Sequence, residues 1–425
     1  MPRPDAPRPR RTAPPPGAAQ EALPVFTAAD AVASSAASGN GQGGRPGDAG
    51  AAKALLEWLA LGRELGASDL HAVPGAPPRL RISGALAPLE GAPEITGPML
   101  AEITRDLLYG AGYGQAWHDW YYEEHDLDLG LTIDGVGRLR CSLLFDRGAP
   151  AIIVRLVADR IPSLESLGLP AVTRSLMQRH AGLWIFTGAT GSGKSTTQAA
   201  ILRAILEEQP RRVITIEDPI EYLHAHARGL VTQREVGLDT ASFERGVLGA
   251  LRQDADVILI GEMRELETIQ QAVRAAETGH LVLATLHTKD APGAVDRLID
   301  VFPPGQQEQI RLQLSDVLLA VYAQQLVPAS PAAREPEERA LRGRVAAVEV
   351  LLGPMAELYA TGAQIRDRRT QQLVTIMDSN VRLGCQTMER ALVELVLAGR
   401  VTERDALDAA VRKEAFQRLL AELRR

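Results

Sequence analysis

The sequence predicts an α/β protein. Its main part is a parallel sheet wound with helices, preceded by a small α+β domain and ending in a helical carboxy-terminal stretch. Three observations carry this reading. From about residue 171, short apolar runs of strand length alternate with helical patterns, as in a sheet covered on both faces. Over residues 79–84 and 126–157 the period is two instead, broken by turns. Finally, the 425 residues contain only 4% aromatics while Ala and Leu abound, a balance that favours helix-rich α/β structure.

Residues 1–50 are Pro, Ala, Gly and Arg with almost no bulky apolar side chain, which predicts a disordered tail. Order begins at "AAKALLEWLALGRELGASDLHA", where Leu55, Leu59 and Leu65 follow helical spacing beside Trp58. "RLRISG" (79–84) alternates as a strand, and "MLAEITRDLL" is amphipathic. "DLDLGLTIDGVGRLRCSLLFDRGAPAIIVRLV" (126–157) reads as strands around the turn "IDGVG", with Leu127, Leu129, Leu131 and Ile133 on one face. Residues 51–158 thus form the α+β domain, and a linker over 159–170 follows, with prolines at both ends. In the domain over 171–425, "LWIFTG" (183–188), "RVITIED" (212–218), "DVILIGE" (256–262) and "HLVLATLH" (280–287) are the expected parallel strands. "QQEQIRLQLSDVLLAVYAQQL" (306–326) and "MERALVELVLAGRVTERDALDAAVRKEAFQRLLAEL" (388–423) are expected helices.

Composition excludes several functions. A net charge of −7 argues against binding nucleic acid through bulk positive charge. Cys141 and Cys385 show neither zinc spacing nor a C-x-x-C pair, so they read as structural thiols in a reducing cytosol. No apolar run approaches the ~20 residues of a membrane span, and the basic start is not followed by the apolar core of a signal peptide.

"GATGSGKS" (188–195) satisfies G-x-x-x-x-G-K-[ST], follows the apolar strand "LWIFT" and opens a helix, the context this phosphate loop requires. Its glycines let backbone N–H groups wrap phosphate oxygens at a helix amino terminus. Gly188, Ala189, Thr190, Gly191, Ser192, Gly193, Lys194, Ser195 and Thr196 are therefore the expected contacts to ATP. Lys194 is one of only four lysines among 46 basic residues. A compact ammonium bridging β- and γ-phosphates suits that place better than a broad guanidinium fork, and the Ser195 hydroxyl suits Mg²⁺.

Strand carboxyl ends are where such sheets hold ligands. Glu262 closes "DVILIGE", while Glu217, Asp218 and Glu221 stand around Pro219 after "ITIED". One of Glu217 and Glu262 is expected as the base and the other in the metal's water shell, with Glu262 favoured for the water. His280 and His287 bracket another strand. Arg138, Arg140, Arg147 and Arg155 in the amino-terminal domain are candidate arginine fingers reaching a neighbouring subunit, against the alternative of surface solvation.

With these residues in hand, the chain from about 52 to 425 resembles the secretion-superfamily ATPases, and within them the PilT-like motors of type IV pili. The likeness lies in the Walker A loop "GATGSGKSTT", the aspartate box "ITIEDPIEY", the Walker B "DVILIGEMRE" and the histidine box "TGHLVLATLHT". "GASDLH" (66–71), "VTQREVG" (231–237), "DRLIDVFP" (296–303) and "GCQTMERAL" (384–392) add to it. The resemblance implies a PAS-like domain and a RecA-like P-loop ATPase domain, assembled as a homohexamer in the cytoplasm at the inner face of the membrane. It also implies docking on an inner-membrane pilus platform protein, work beside a paralogous pilus ATPase, no nucleic-acid partner, and ATP hydrolysis with Mg²⁺ driving pilus retraction and twitching motility. By the same likeness Glu262 is the base, Glu217 assists Mg²⁺ and water, and His280 and His287 are the histidine-box residues. The sequence departs from the family where "MAELYATGAQIRDRRTQQ" (355–372) replaces the usual retraction helix and Ala189 replaces a proline. It lacks the four-cysteine zinc site of assembly motors. The alternatives are an accessory or type II secretion-type ATPase and a nucleotide-binding regulatory paralog. A RecA-like DNA motor is disfavoured by charge.

Overall fold

The computed structural model describes residues 25–26, 48–82, 84–110, 114–157, 160–331 and 343–424. Most of the tail over 1–50 lies outside them. The described residues divide into two compact units: those up to Arg160 with Pro219–Tyr222, and those of 161–218 with those from Leu223 onward.

The first unit is built on strands β1 (Val25–Phe26), β2 (Asp69–Ala72), β3 (Arg79–Ile82), β4 (Ala85–Pro88), β5 (Asp126–Ile133), β6 (Gly137–Asp146) and β7 (Ala149–Leu156). They make one sheet in the order β1-β5-β6-β7-β2-β3-β4. The period-two alternation does its expected work: Leu127, Leu129, Leu131 and Ile133 are all buried. Helices Asp48–Glu64, Gly97–Gly110 and Gly114–Glu124 belong to this unit. Leu55, Trp58 and Leu59 bury one face of the first helix, whereas Leu65 lies past its end and is exposed.

The second unit contains β8 (Gly182–Thr187), β9 (Arg212–Glu217), β10 (Leu230–Glu235), β11 (Val257–Ile260), β12 (Leu281–Thr285), β13 (Leu318–Pro328) and β14 (Arg344–Leu352). Their order is β10-β9-β11-β12-β8-β13-β14. All neighbours are parallel except β13 and β14. The four expected strands are β8, β9, β11 and β12. They are largely apolar and buried because helices such as Lys194–Glu208, Leu266–Glu277 and Ala291–Asp300 cover the sheet. Within the segment read as a linker, Ser163 caps a one-turn helix, Leu164–Leu167, whose leucines enter this unit's core.

Two strands, β13 and β14, lie in the carboxy-terminal stretch expected to be helical. The helix predicted over 306–326 ends at Val317, and Leu318 begins an eleven-residue strand. The run "LLAVYAQQLV" is apolar enough for either state. Insertion between β8 and β14 decides it, since a strand buried on both faces shows no alternation. Tyr322 there packs edge-on against Trp184 and Phe186 of β8 and its hydroxyl meets Thr173 Oγ1 at 2.9 Å. The carboxy-terminal region beyond β14 is helical, including Met388–Leu397, Glu403–Ala409 and Lys413–Leu423.

Candidate active site

Because β9, β11, β12 and β8 run parallel and adjacent, their carboxyl ends share one edge of the sheet, about 5 Å from strand to strand. Glu217, Glu262, His287 and the phosphate loop emerge there in that spatial order. The ends are close-packed: a Cβ on Gly261 would stand 3.3 Å from the Cα of Glu217.

The loop after β8 depends on its glycines. Gly188 and Gly193 have φ of 138° and 92°, a region that an L side chain avoids. Added methyls at these positions would stand 2.2 Å from the Gln324 carbonyl oxygen and 2.7 Å from Gln324 Nε2. Gly193 caps the helix Lys194–Glu208, whose amino terminus opens onto the loop. Lys194 is buried, and its Nζ donates to the carbonyls of Gly188 (2.7 Å) and Ala189 (3.0 Å), so the ammonium lies across the loop it serves. Ser192 is buried, whereas Ala189, Thr190, Gly191 and Ser195 are exposed and Thr196 half-buried.

Glu262 follows β11, and its Oε1 lies 2.9 Å from His287 Nε2; the same oxygen accepts a hydrogen bond from Arg264 Nε. The segment carrying His287 is pinned to β8, since Thr288 N donates to Thr187 Oγ1 at 2.8 Å. Glu217 Oε1 accepts from Thr215 Oγ1 (2.7 Å) and from Gln233 Nε2 (3.2 Å) on the neighbouring strand β10. These donors fix the carboxylate at the strand end.

The remaining predicted residues are His280 and four arginines. His280 precedes β12, at the amino-terminal end of the strand whose other end leads to His287, so within one chain it faces away from the phosphate loop. Its Nδ1 is 3.0 Å from the Ala275 carbonyl oxygen, a local helix-end contact. The arginines belong to the first unit. Arg138 is buried and donates through Nε and Nη2 to the Ile220 carbonyl (3.1 and 2.8 Å), which directs it inward. Arg140 pairs with Asp128 at 3.4 Å and Glu221 at 3.9 Å. Arg147 sits at a hairpin turn, almost fully exposed. Arg155 donates to Asp69 at 2.9 Å. Burial pushes the Asp69 carboxyl up, but hydrogen bonds from Ser68 and Arg155 outweigh it and hold the group below its ordinary value.

Thr215, Gln233, Arg264, Thr288 and Gln324 were not singled out from the sequence. The signal for Gln324 was present, since a glutamine inside an apolar strand needs a buried partner.

A glycine-rich loop at a helix amino terminus, with carboxylates on the neighbouring strand ends, defines a P-loop nucleoside triphosphatase. Residues 128–414 match the family described as type II/IV secretion system protein. The type IV pilus ATPase PilU of Pseudomonas aeruginosa is 40% identical over 350 residues, covering 82% of this chain and 86% of that protein. PilT of the same organism, a type IV pilus retraction ATPase, is 35% identical over 85% of this chain and 99% of its own length. A crystal structure of the pilus retraction motor PilT with bound ADP superposes with a TM-score of 0.73 at 38% identity, covering 86% of this chain and 99% of that one. The chain belongs to the type II/IV secretion ATPase family and is a nucleotide-binding ATPase.

Proposed function

We propose that this ATPase is a homohexameric motor that retracts type IV pili and so drives twitching motility, working in the cytoplasm at the inner face of the membrane against a platform protein. The observation that carries this reading is the full-length likeness to a retraction motor, 38% identical over 99% of that chain, together with Glu217, Glu262 and His287 on one sheet edge with the phosphate loop. No helix among the described residues is long and apolar enough to cross a membrane, which agrees with peripheral attachment. The first unit fits the PAS-like role and the second the RecA-like role.

In this reading Lys194 and the loop amides hold the phosphates. Glu262 takes the proton of the attacking water, oriented by His287 and Arg264. Ser195, exposed in the first helical turn, and Glu217, fixed by Thr215 and Gln233, are the hard oxygen donors that suit a hydrated Mg²⁺. That ion would neutralise charge on the β- and γ-phosphate oxygens. Arg140, Arg147 and Arg155 act on a neighbouring subunit's nucleotide. Arg138, held inward on Ile220, supports its own unit.

A second reading, an ATPase working beside a main motor, is favoured by the 355–372 stretch, where two 3₁₀ turns flank the short helix Tyr359–Arg366. One experiment separates them. Surface pili are counted, and motility scored, in cells whose only copy carries Glu262→Gln. More pili with lost twitching support retraction. Unchanged pili and motility would remove the retraction reading and leave the accessory role.

A further inference from the structure

We propose that Gln324 is the positioning residue that holds the phosphate loop in its nucleotide-ready shape, and that its hydrogen bond with Thr197 sets nucleotide affinity. The inference rests on the nucleotide-binding reading of that loop.

Ala323 of β13 is in register with Thr187 of β8, so Gln324 lies beside Gly188, where the loop begins. Its carbonyl oxygen fills the space over Gly188, and its Nε2 fills the space over Gly193, where the loop ends. Its Oε1 accepts the Thr197 hydroxyl at 2.9 Å, and the Thr197 amide donates to the Gly193 carbonyl at 2.9 Å. Both side chains are almost completely buried, Gln324 at 4% and Thr197 at 1% exposure. One residue of a core strand therefore touches both ends of the loop and the first turn of its helix.

The physical consequence follows from the glycines. Ordering a glycine-rich loop costs more conformational entropy than ordering any other. A loop already held in place binds its ligand more tightly because that cost is not met on binding. A buried amide in an apolar strand is itself unfavourable without a partner, and Thr197 supplies it. The next residue provides a built-in comparison. Gln325 faces the opposite side of the strand from Gln324, and its Nε2 donates to the Ala409 carbonyl at 3.1 Å.

The test is calorimetric titration of the full chain with ADP, alongside steady-state ATP hydrolysis. Gln324→Leu and Thr197→Val should each weaken ADP binding about tenfold, with KM for ATP rising in parallel and kcat within about twofold. The double variant should be no weaker than either single one, because both remove the same bond. Thr197→Ser, which keeps the hydroxyl, should restore affinity. Gln325→Leu should lower the melting temperature without weakening ADP. Native ADP affinity in Gln324→Leu or Thr197→Val overturns the proposal. So do additive effects in the double variant, or equal loss in Gln325→Leu. If Gln324→Leu does not fold, the Thr197 pair decides alone. A wild-type chain that binds no ADP would overturn the nucleotide-binding reading as well.

Discussion

Glu349 is a buried carboxyl that ties three elements together, and its removal has a calculable pH signature. It lies on β14 at 4% exposure. Its Oε1 accepts the amide of Ala291 at 2.8 Å, and its Oε2 accepts that of Met388 at 3.2 Å. It thus joins the amino termini of the helix after the His287 segment and of the helix Met388–Leu397. Burial raises its pKa, the two amides lower it, and the facing carboxylates of Asp290 and Glu389 raise it; the result is about 7 against an ordinary 4.5. Arg412, which donates to Glu389 at 3.1 Å, is the nearby cation. The native state therefore binds the extra proton between these two values. Its contribution is fully present below the unfolded value and is lost as pH rises through the native one. Between pH 5.5 and 8.5 the loss is about 2 kcal/mol, from 1.36 kcal/mol per pKa unit. Glu349→Gln mimics the neutral form and removes the titration. Denaturant unfolding of both proteins across this range should show the variant gaining about 2 kcal/mol on the wild type as pH rises. Parallel curves would refute the reasoning, and so would a gap that moves the other way.

Three further outcomes follow from the geometry. Gly188→Ala places a methyl against the Gln324 carbonyl at a φ of 138°, so ADP affinity should fall more than about tenfold, measured by titration. Glu262→Gln should cut kcat by about 10²–10⁴ while ADP still binds; native turnover would remove Glu262 as base. Arg155→Ala should lower turnover about a hundredfold or more if it acts across subunits, whereas Asp69→Asn, which breaks the same pair but keeps the arginine, should cost far less. Equal rates in the two variants would make the pair structural.

The amino-acid order alone determined the local features of this protein. The phosphate loop was legible because its chemistry is contiguous: glycines, lysine and serine in a fixed spacing between an apolar strand and a helix. β8, β9, β11 and β12 were legible because a strand buried on both faces is a short apolar run, and the strands over 126–157 because one-sided burial writes a period of two. What depends on distant segments meeting was not legible. Val317 ends a helix and Leu318 starts a strand only because β8 and β14 receive β13 between them. His280 and His287 look equivalent in sequence, and strand direction alone separates them, leading one away from the loop and bringing the other to Glu262. Gln324 and Thr197, 127 residues apart, meet because β13 lies beside β8. Arg138 turns inward because the Ile220 carbonyl is there to receive it. Local propensity and spacing are properties of neighbours in the chain. The partner of a buried polar group is chosen by which strands lie side by side, and that is settled only when the sheet assembles.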